Sequence, residues 1–93
     1  MTIKDLYNLI LDRQIKLPQD SYTTSLFKEG LDKIVQKVGE ESVETLVAAK
    51  NGSKKRLVEE TSDLIYHLLV LLVKKKITLE EIEAELEKRH QKE

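Results

Sequence analysis

Four pairs of acids recur at a spacing of three residues: Glu29/Asp32, Glu41/Glu44, Glu60/Asp63 and Glu80/Glu83. Carboxylates hold hard cations and take protons from water, and a three-residue step sets both members of a pair on one side of a helix. With 17 acids among 93 residues, chance alone supplies about three such pairs, so spacing by itself decides little. Position on the helix separates them. At roughly 100° per residue, Glu41 falls about 20° from Ile34, on the rim of an apolar stripe, with Glu44 about 60° farther round. Glu60 falls about 20° from Leu71, and Asp63 and His67 follow in the same stripe. Glu29/Asp32 straddles Gly30 at an expected helix start, where acids suit the dipole. Glu80/Glu83 shares its segment with Glu81, Glu85 and Glu87 and reads as a solvated face.

Two carboxylates about 5 Å apart repel by roughly 3 kcal/mol at an effective dielectric of about 20. A converging set must therefore protonate in part or share a multivalent cation. Oxygen donors, in a chain without Cys, favour Mg²⁺ or Mn²⁺ over Zn²⁺. Mg²⁺ keeps waters and shares its shell with substrate phosphates. A carboxylate site of this kind points to phosphate-ester or phosphoanhydride chemistry. A second reading stays open at this level: surface acids paired with Lys37, Lys50 or Lys54.

The acids must be held by helices. One Pro, three Gly and 35% charged residues suit an all-α chain better than a β-sandwich, which needs many turns. The pattern predicts one domain over 1–93, built as a helical bundle of about four helices: 3–14, 30–50, 54–75 and 78–89. Thr2, Ser53 and Thr78 are the expected caps, with Asp5 and Glu81 completing boxes. Asn51-Gly52 is expected to stop the second helix by adopting the left-handed conformation. Leu31, Ile34, Val35, Val38, Ser42 and Ala49 make its expected buried face; Ile82 and Leu86 continue that of the fourth. Ser21-Tyr22-Thr23-Thr24-Ser25 reads as a loop or a short helical turn.

Leu64, Ile65 and Leu68 to Val73 surround the third helix on nearly every side. Such a helix must be buried all round, which a chain this short can hardly do alone. The expectation is a homodimer whose 30–50 and 54–75 helices form one shared bundle. The apolar run is ten residues, Leu64 to Val73, against the roughly twenty of a membrane span. A net charge of −1 leaves no footprint for nucleic acid or an anionic membrane. No leader is apparent and Cys is absent, which fits a cytoplasmic protein.

Glu40-Glu41-Ser42-Val43-Glu44, then fifteen residues, then Glu60-Thr61-Ser62-Asp63, resembles the EExxE…ExxD pattern of the all-α, MazG-like nucleoside triphosphate pyrophosphohydrolases. Ser21-Tyr22-Thr23, Leu26-Phe27, Gly30, Lys37-Val38-Gly39, Ala48-Ala49-Lys50 and the stretch from Asp63 to Leu72 narrow the resemblance to the phosphoribosyl-ATP pyrophosphohydrolase family. The likeness runs from the first helix to Arg89. It implies a dimeric all-α fold and Mg²⁺-dependent hydrolysis of phosphoribosyl-ATP to phosphoribosyl-AMP and pyrophosphate in histidine biosynthesis. It implies Glu41, Glu44, Glu60 and Asp63 as metal ligands, with Glu40 as the extra acid of the motif, set away from the apolar rim. A carboxylate of the cluster would take the proton from the attacking water. Ser42 stands where the family often has Ala. No cyclohydrolase segment is fused, so the next step is expected from another chain.

Substrate contacts are expected from Lys37, Ser21, Tyr22, Lys50 and His67; Ser21 and Tyr22 rest on the resemblance alone. His67, four residues after Asp63, reads equally as an orienting group or as a buried, hydrogen-bonded histidine. Lys37, four residues before Glu41, reads as an ion pair or a phosphate ligand. Two alternatives remain beside the main reading: the same chemistry on another nucleoside triphosphate, and a helical dimerisation module without catalysis.

Overall fold

Short polar side chains set the helix starts. In the computed structural model, which describes residues 1–91, Thr2, Ser21, Ser53 and Thr78 each accept a hydrogen bond from the backbone N–H three residues on. This satisfies donors that have no partner inside the helix. Asp5 and Glu81 return the bond to Thr2 and Thr78, closing both expected capping boxes. The helices are α1 (Ile3–Lys16), α2 (Tyr22–Glu29), α3 (Leu31–Asn51), α4 (Lys54–Lys74) and α5 (Leu79–His90). There are five helices among the described residues rather than about four. The addition is α2, which forms over the hydroxyl-rich stretch left open between loop and turn. Its Leu26 and Thr24 are buried, so packing supplies what local periodicity lacked.

Gly30 closes α2 and opens α3 at φ 96°, a conformation that L side chains rarely adopt. Glu29 consequently ends α2 and only Asp32 sits in the first turn of α3. The expectation for Gly52 needs correction. Asn51 is helical and Gly52 is extended, with φ −99°. The glycine is needed for close approach: a Cβ there would lie 2.8 Å from the Ala48 carbonyl oxygen and 3.2 Å from Arg56 Cβ.

α3 and α4 form an antiparallel hairpin, the most extensive packing in the chain. The apolar core gathers Tyr7 and Ile10 of α1, Leu26 of α2, Ile34 of α3, and Leu69, Val70 and Val73 of α4. Tyr7 also donates its hydroxyl to the Ile77 carbonyl at 2.8 Å. The buried stripe of α3 steps by seven, Ile34–Glu41–Ala48, while Val35 and Ala49, expected on that face, are exposed. α5 also departs from expectation. Ile82 is 38% and Leu86 61% exposed, because α5 does not dock extensively on the rest of its own chain. Among the described residues, no helix is long and apolar enough to cross a membrane.

Candidate metal centre

The hairpin brings Glu41 of α3 to Glu60 and Asp63 of α4. One carboxylate oxygen from each lies within 4.8 Å of the other two. Glu41 takes the middle place in the seven-residue stripe and is only 6% exposed. Glu60 is half-buried and Asp63 exposed, so the cluster runs from the helix interface to the surface. Glu44, one turn farther along α3, is exposed and not among the three that converge. With Gln36, Gly39, Glu40 and Val43 it lines a shallow, open surface along α3.

Two cations flank the acids without satisfying them. Lys37 Nζ lies 3.4 Å from Glu41 Oε1 and 3.8 Å from Glu40 Oε2. Arg56 Nη2 lies 3.5 Å from Glu60 Oε1. The second oxygens, Glu41 Oε2 and Glu60 Oε2, are buried and have no hydrogen-bond partner. An unpaired buried carboxylate oxygen is costly. Two of them, beside an exposed third carboxylate, form a donor set that could hold a hard divalent cation with part of its water shell. Lys37 is loosely attached to this set. Desolvation works against its charge, but Tyr22, Glu40 and Glu41 outweigh that and raise its pKa.

Glu40 turns outward. It accepts from Gln36 Nε2 at 2.7 Å, and this bond, with Lys37 and Lys33, outweighs desolvation and holds its carboxyl below the ordinary range. His67 is only 5% exposed and satisfied at both nitrogens. Its Nδ1 pairs with the Asp63 carbonyl oxygen at 2.7 Å, which accepts and so assigns the proton to Nδ1. Nε2 then accepts from the Tyr22 hydroxyl at 2.9 Å. Beside it, the Thr23 and Tyr66 hydroxyls are hydrogen-bonded, and the Tyr22 and Tyr66 rings stack at 6.1 Å. Burial pushes the Tyr66 phenol up, with Thr23 opposing and Tyr22 adding. The start of α2 is thereby fastened to α4 just past Asp63.

The remaining expected residues are dispersed. Ser21 uses its hydroxyl as the cap of α2, accepting from Thr24 N–H at 3.2 Å. Lys50 is exposed near the end of α3, nine residues or about 13 Å of helix beyond Glu41. Thr45 escaped the sequence reading altogether. Its hydroxyl lies 2.8 Å from the Glu41 carbonyl and 3.1 Å from that of Glu60. Its place four residues after Glu41 was visible, but its contact with α4 was not.

The chain is similar to known proteins over nearly its whole length. The family model described as phosphoribosyl-ATP pyrophosphohydrolase matches residues 3–90. A phosphoribosyl-ATP pyrophosphatase of Clostridium novyi (strain NT) is 52% identical over 90 residues, covering 97% of this chain and 82% of the relative. The protein of the same name from Pelotomaculum thermopropionicum is 54% identical over 90 residues, 97% of this chain and 92% of the relative. A histidine biosynthesis bifunctional protein HisIE of Bacteroides thetaiotaomicron is 51% identical, covering 97% of this chain and 44% of the relative. With a match over nearly its whole length, the chain belongs to the phosphoribosyl-ATP pyrophosphohydrolase family.

Proposed function

We propose that this chain hydrolyses phosphoribosyl-ATP to phosphoribosyl-AMP and pyrophosphate in histidine biosynthesis, with Mg²⁺ held by Glu41, Glu60 and Asp63. Glu44 joins from the next turn of α3. The pair of buried, partnerless oxygens on Glu41 and Glu60 carries the metal reading. The names of the relatives carry the substrate. A Cys-free composition suits a reducing compartment, and we read the enzyme as cytoplasmic.

When bound, the divalent ion neutralises phosphoanhydride charge and makes nearby water more acidic. The chain's own groups do the rest. Glu41 and Glu60 bind from the helix interface, and Asp63 meets the solvent side. A free oxygen of this cluster takes the proton from the attacking water. Glu40, tied to Gln36 and turned outward, is placed to orient rather than to take the proton. Lys37 is free to exchange its carboxylate partners for phosphate oxygens, and Tyr22, positioned by His67, borders the same side. No covalent intermediate is needed.

The reading is tested by turnover of phosphoribosyl-ATP beside a panel of nucleoside triphosphates. Glu41→Gln and Asp63→Asn are expected to abolish turnover with the helical circular dichroism retained. Comparable rates across the panel would move the activity to another nucleotide. Wild-type rates in both variants would leave a module without this chemistry.

The same proposal includes a second copy of the chain. The radius of gyration is 14.6 Å, against about 12 Å for a compact domain of this length. The accessible surface is 6822 Å², against about 5,500 Å² for a compact monomer of this size. Val43, Leu46, Val47 and Val58 of the hairpin and Leu86 of α5 are exposed, so the excess includes apolar surface that a copy would cover. Sedimentation of the wild type as a dimer, and of Leu46→Asp as a monomer, is the expected result; a monomeric wild type overturns it.

A further inference from the structure

We infer that Thr45 is a positioning residue for the carboxylate cluster, its hydroxyl bridging the backbone carbonyls of Glu41 and Glu60 and fixing the spacing of their side chains. This rests on the cluster being a divalent-cation site.

A threonine hydroxyl has one proton, and here two carbonyl oxygens share it, at 2.8 Å from Glu41 and 3.1 Å from Glu60. The first contact is the ordinary bond back to the preceding turn. Ser42 makes it to Val38 and Ser62 to Val58, both at 2.7 Å. The second contact is different in kind. It crosses to α4, and among the described residues it is the side-chain hydrogen bond that joins α3 to α4. Together the two contacts end on the backbones of two of the three residues whose carboxylates converge. A backbone carbonyl is rigid relative to its own Cα, so the bridge sets where the Glu60 side chain starts with respect to that of Glu41.

The fully buried α4 residues of the apolar cluster are Leu69, Val70 and Val73, nine residues or more past Glu60, which is about 13 Å of helix; Ile65 and Tyr66, nearer to Glu60, pack on the cluster but are only partly buried. Ala48 is the buried apolar residue of α3 nearest the hairpin turn, and its methyl offers little grip. Meanwhile the Glu41 and Glu60 carboxylates repel each other across the interface. A slip of α4 by one residue would move Glu60 by about 1.5 Å along the axis and about 100° around it, which ends the convergence. Thr45 opposes both the slip and the separation. Residues that orient ligands in this way change metal affinity by about 10- to 100-fold when lost.

The test is Mn²⁺ binding to the whole chain without nucleotide, read from the electron paramagnetic resonance of free Mn²⁺, with metal-free melting curves beside it. Thr45→Val keeps the volume and removes the donor; Thr45→Ser keeps the donor. Thr45→Val is expected to bind Mn²⁺ about tenfold more weakly, and Thr45→Ser within about twofold of the wild type. Should Thr45→Val fail to fold, Thr45→Ala takes its place, with the same ordering expected. Wild-type affinity in the variants lacking the hydroxyl, or a Thr45→Ser as weak as Thr45→Val, overturns the inference while the metal site stands. A wild type that binds no Mn²⁺, or a Glu41→Gln variant that binds it equally, removes the metal site and the inference with it.

Discussion

Tyr22 donates its hydroxyl to His67 Nε2 at 2.9 Å, joining the first residue of α2 to the middle of α4. The bond is possible because His67 commits Nδ1–H to the carbonyl of Asp63 at 2.7 Å. A residue of the acid cluster, through its backbone, thus sets the tautomer that receives the tyrosine. Nitrogen-15 spectra of the neutral imidazole are expected to show the Nδ1–H tautomer. Tyr22→Phe leaves a buried acceptor without its partner, at a cost of about 1 kcal/mol, read as a lower melting temperature. A spectrum of the Nε2–H form would contradict the assignment.

Glu60→Gln separates repulsion from ligation. Its pair with Arg56 is half in solvent, with the arginine side chain 58% exposed, and contributes little. Removing one of the converging negative charges is therefore expected to leave metal-free stability unchanged or raise it by about 1–3 kcal/mol. Ligands that bind only the folded state raise its melting temperature, so Mg²⁺ is expected to stabilise the wild type more than the variant. Melting in chelator and in a Mg²⁺ series reads both effects. A variant less stable in chelator would mean that the cluster is not repulsive.

Gly52→Ala tests the hairpin turn. The added methyl would stand 2.8 Å from the Ala48 carbonyl oxygen, and the helix ends must shift to admit it. Overpacking of this sort costs about 1–3 kcal/mol. Denaturant unfolding should show that loss. An unchanged midpoint would mean that α3 and α4 part easily at the turn.

Tyr7 gives a pH signature. Burial raises its phenol, and the charges of Glu80 and Glu81 add to the shift. Its folded pKa therefore lies above the unfolded value, near 10. The associated stability is complete below pH of about 10 and falls as pH climbs toward the folded value. Tyr22, where burial is the largest cause, and Tyr66 shift in the same direction. Tyr7→Phe is expected to lose about 1 kcal/mol at neutral pH with the bond to Ile77, and to decline less steeply between pH of about 9 and 11. Parallel alkaline declines in both proteins would remove Tyr7 as a source.

Much of this was legible in the residues. Thr2, Ser53 and Thr78 cap as their short oxygens dictate, and the seven-residue step from Ile34 placed Glu41 against the apolar stripe where it is found. What was hidden depends on partners far along the chain. α2 has no clear apolar period of its own; it exists because Leu26 packs into the core and Tyr22 and Thr23 reach α4. Gly52 carries a residue type that usually signals positive φ, but its reason is a neighbouring carbonyl. Val35 and Ala49 were assigned to the buried face because a broad helical stripe was assumed, whereas the antiparallel seam selects a narrower one. Thr45 became visible only when α4 lay beside it.

The carboxylate end of the α3–α4 hairpin projects past the apolar cluster. Stability within one fold is uneven, and segments with few buried apolar contacts open first. Backbone amides around Glu41 and Glu60 are therefore expected to exchange with solvent through excursions that leave Ile10, Ile34 and Val70 packed, so that breathing is concentrated where a nucleotide would arrive and depart and rigidity at the opposite pole.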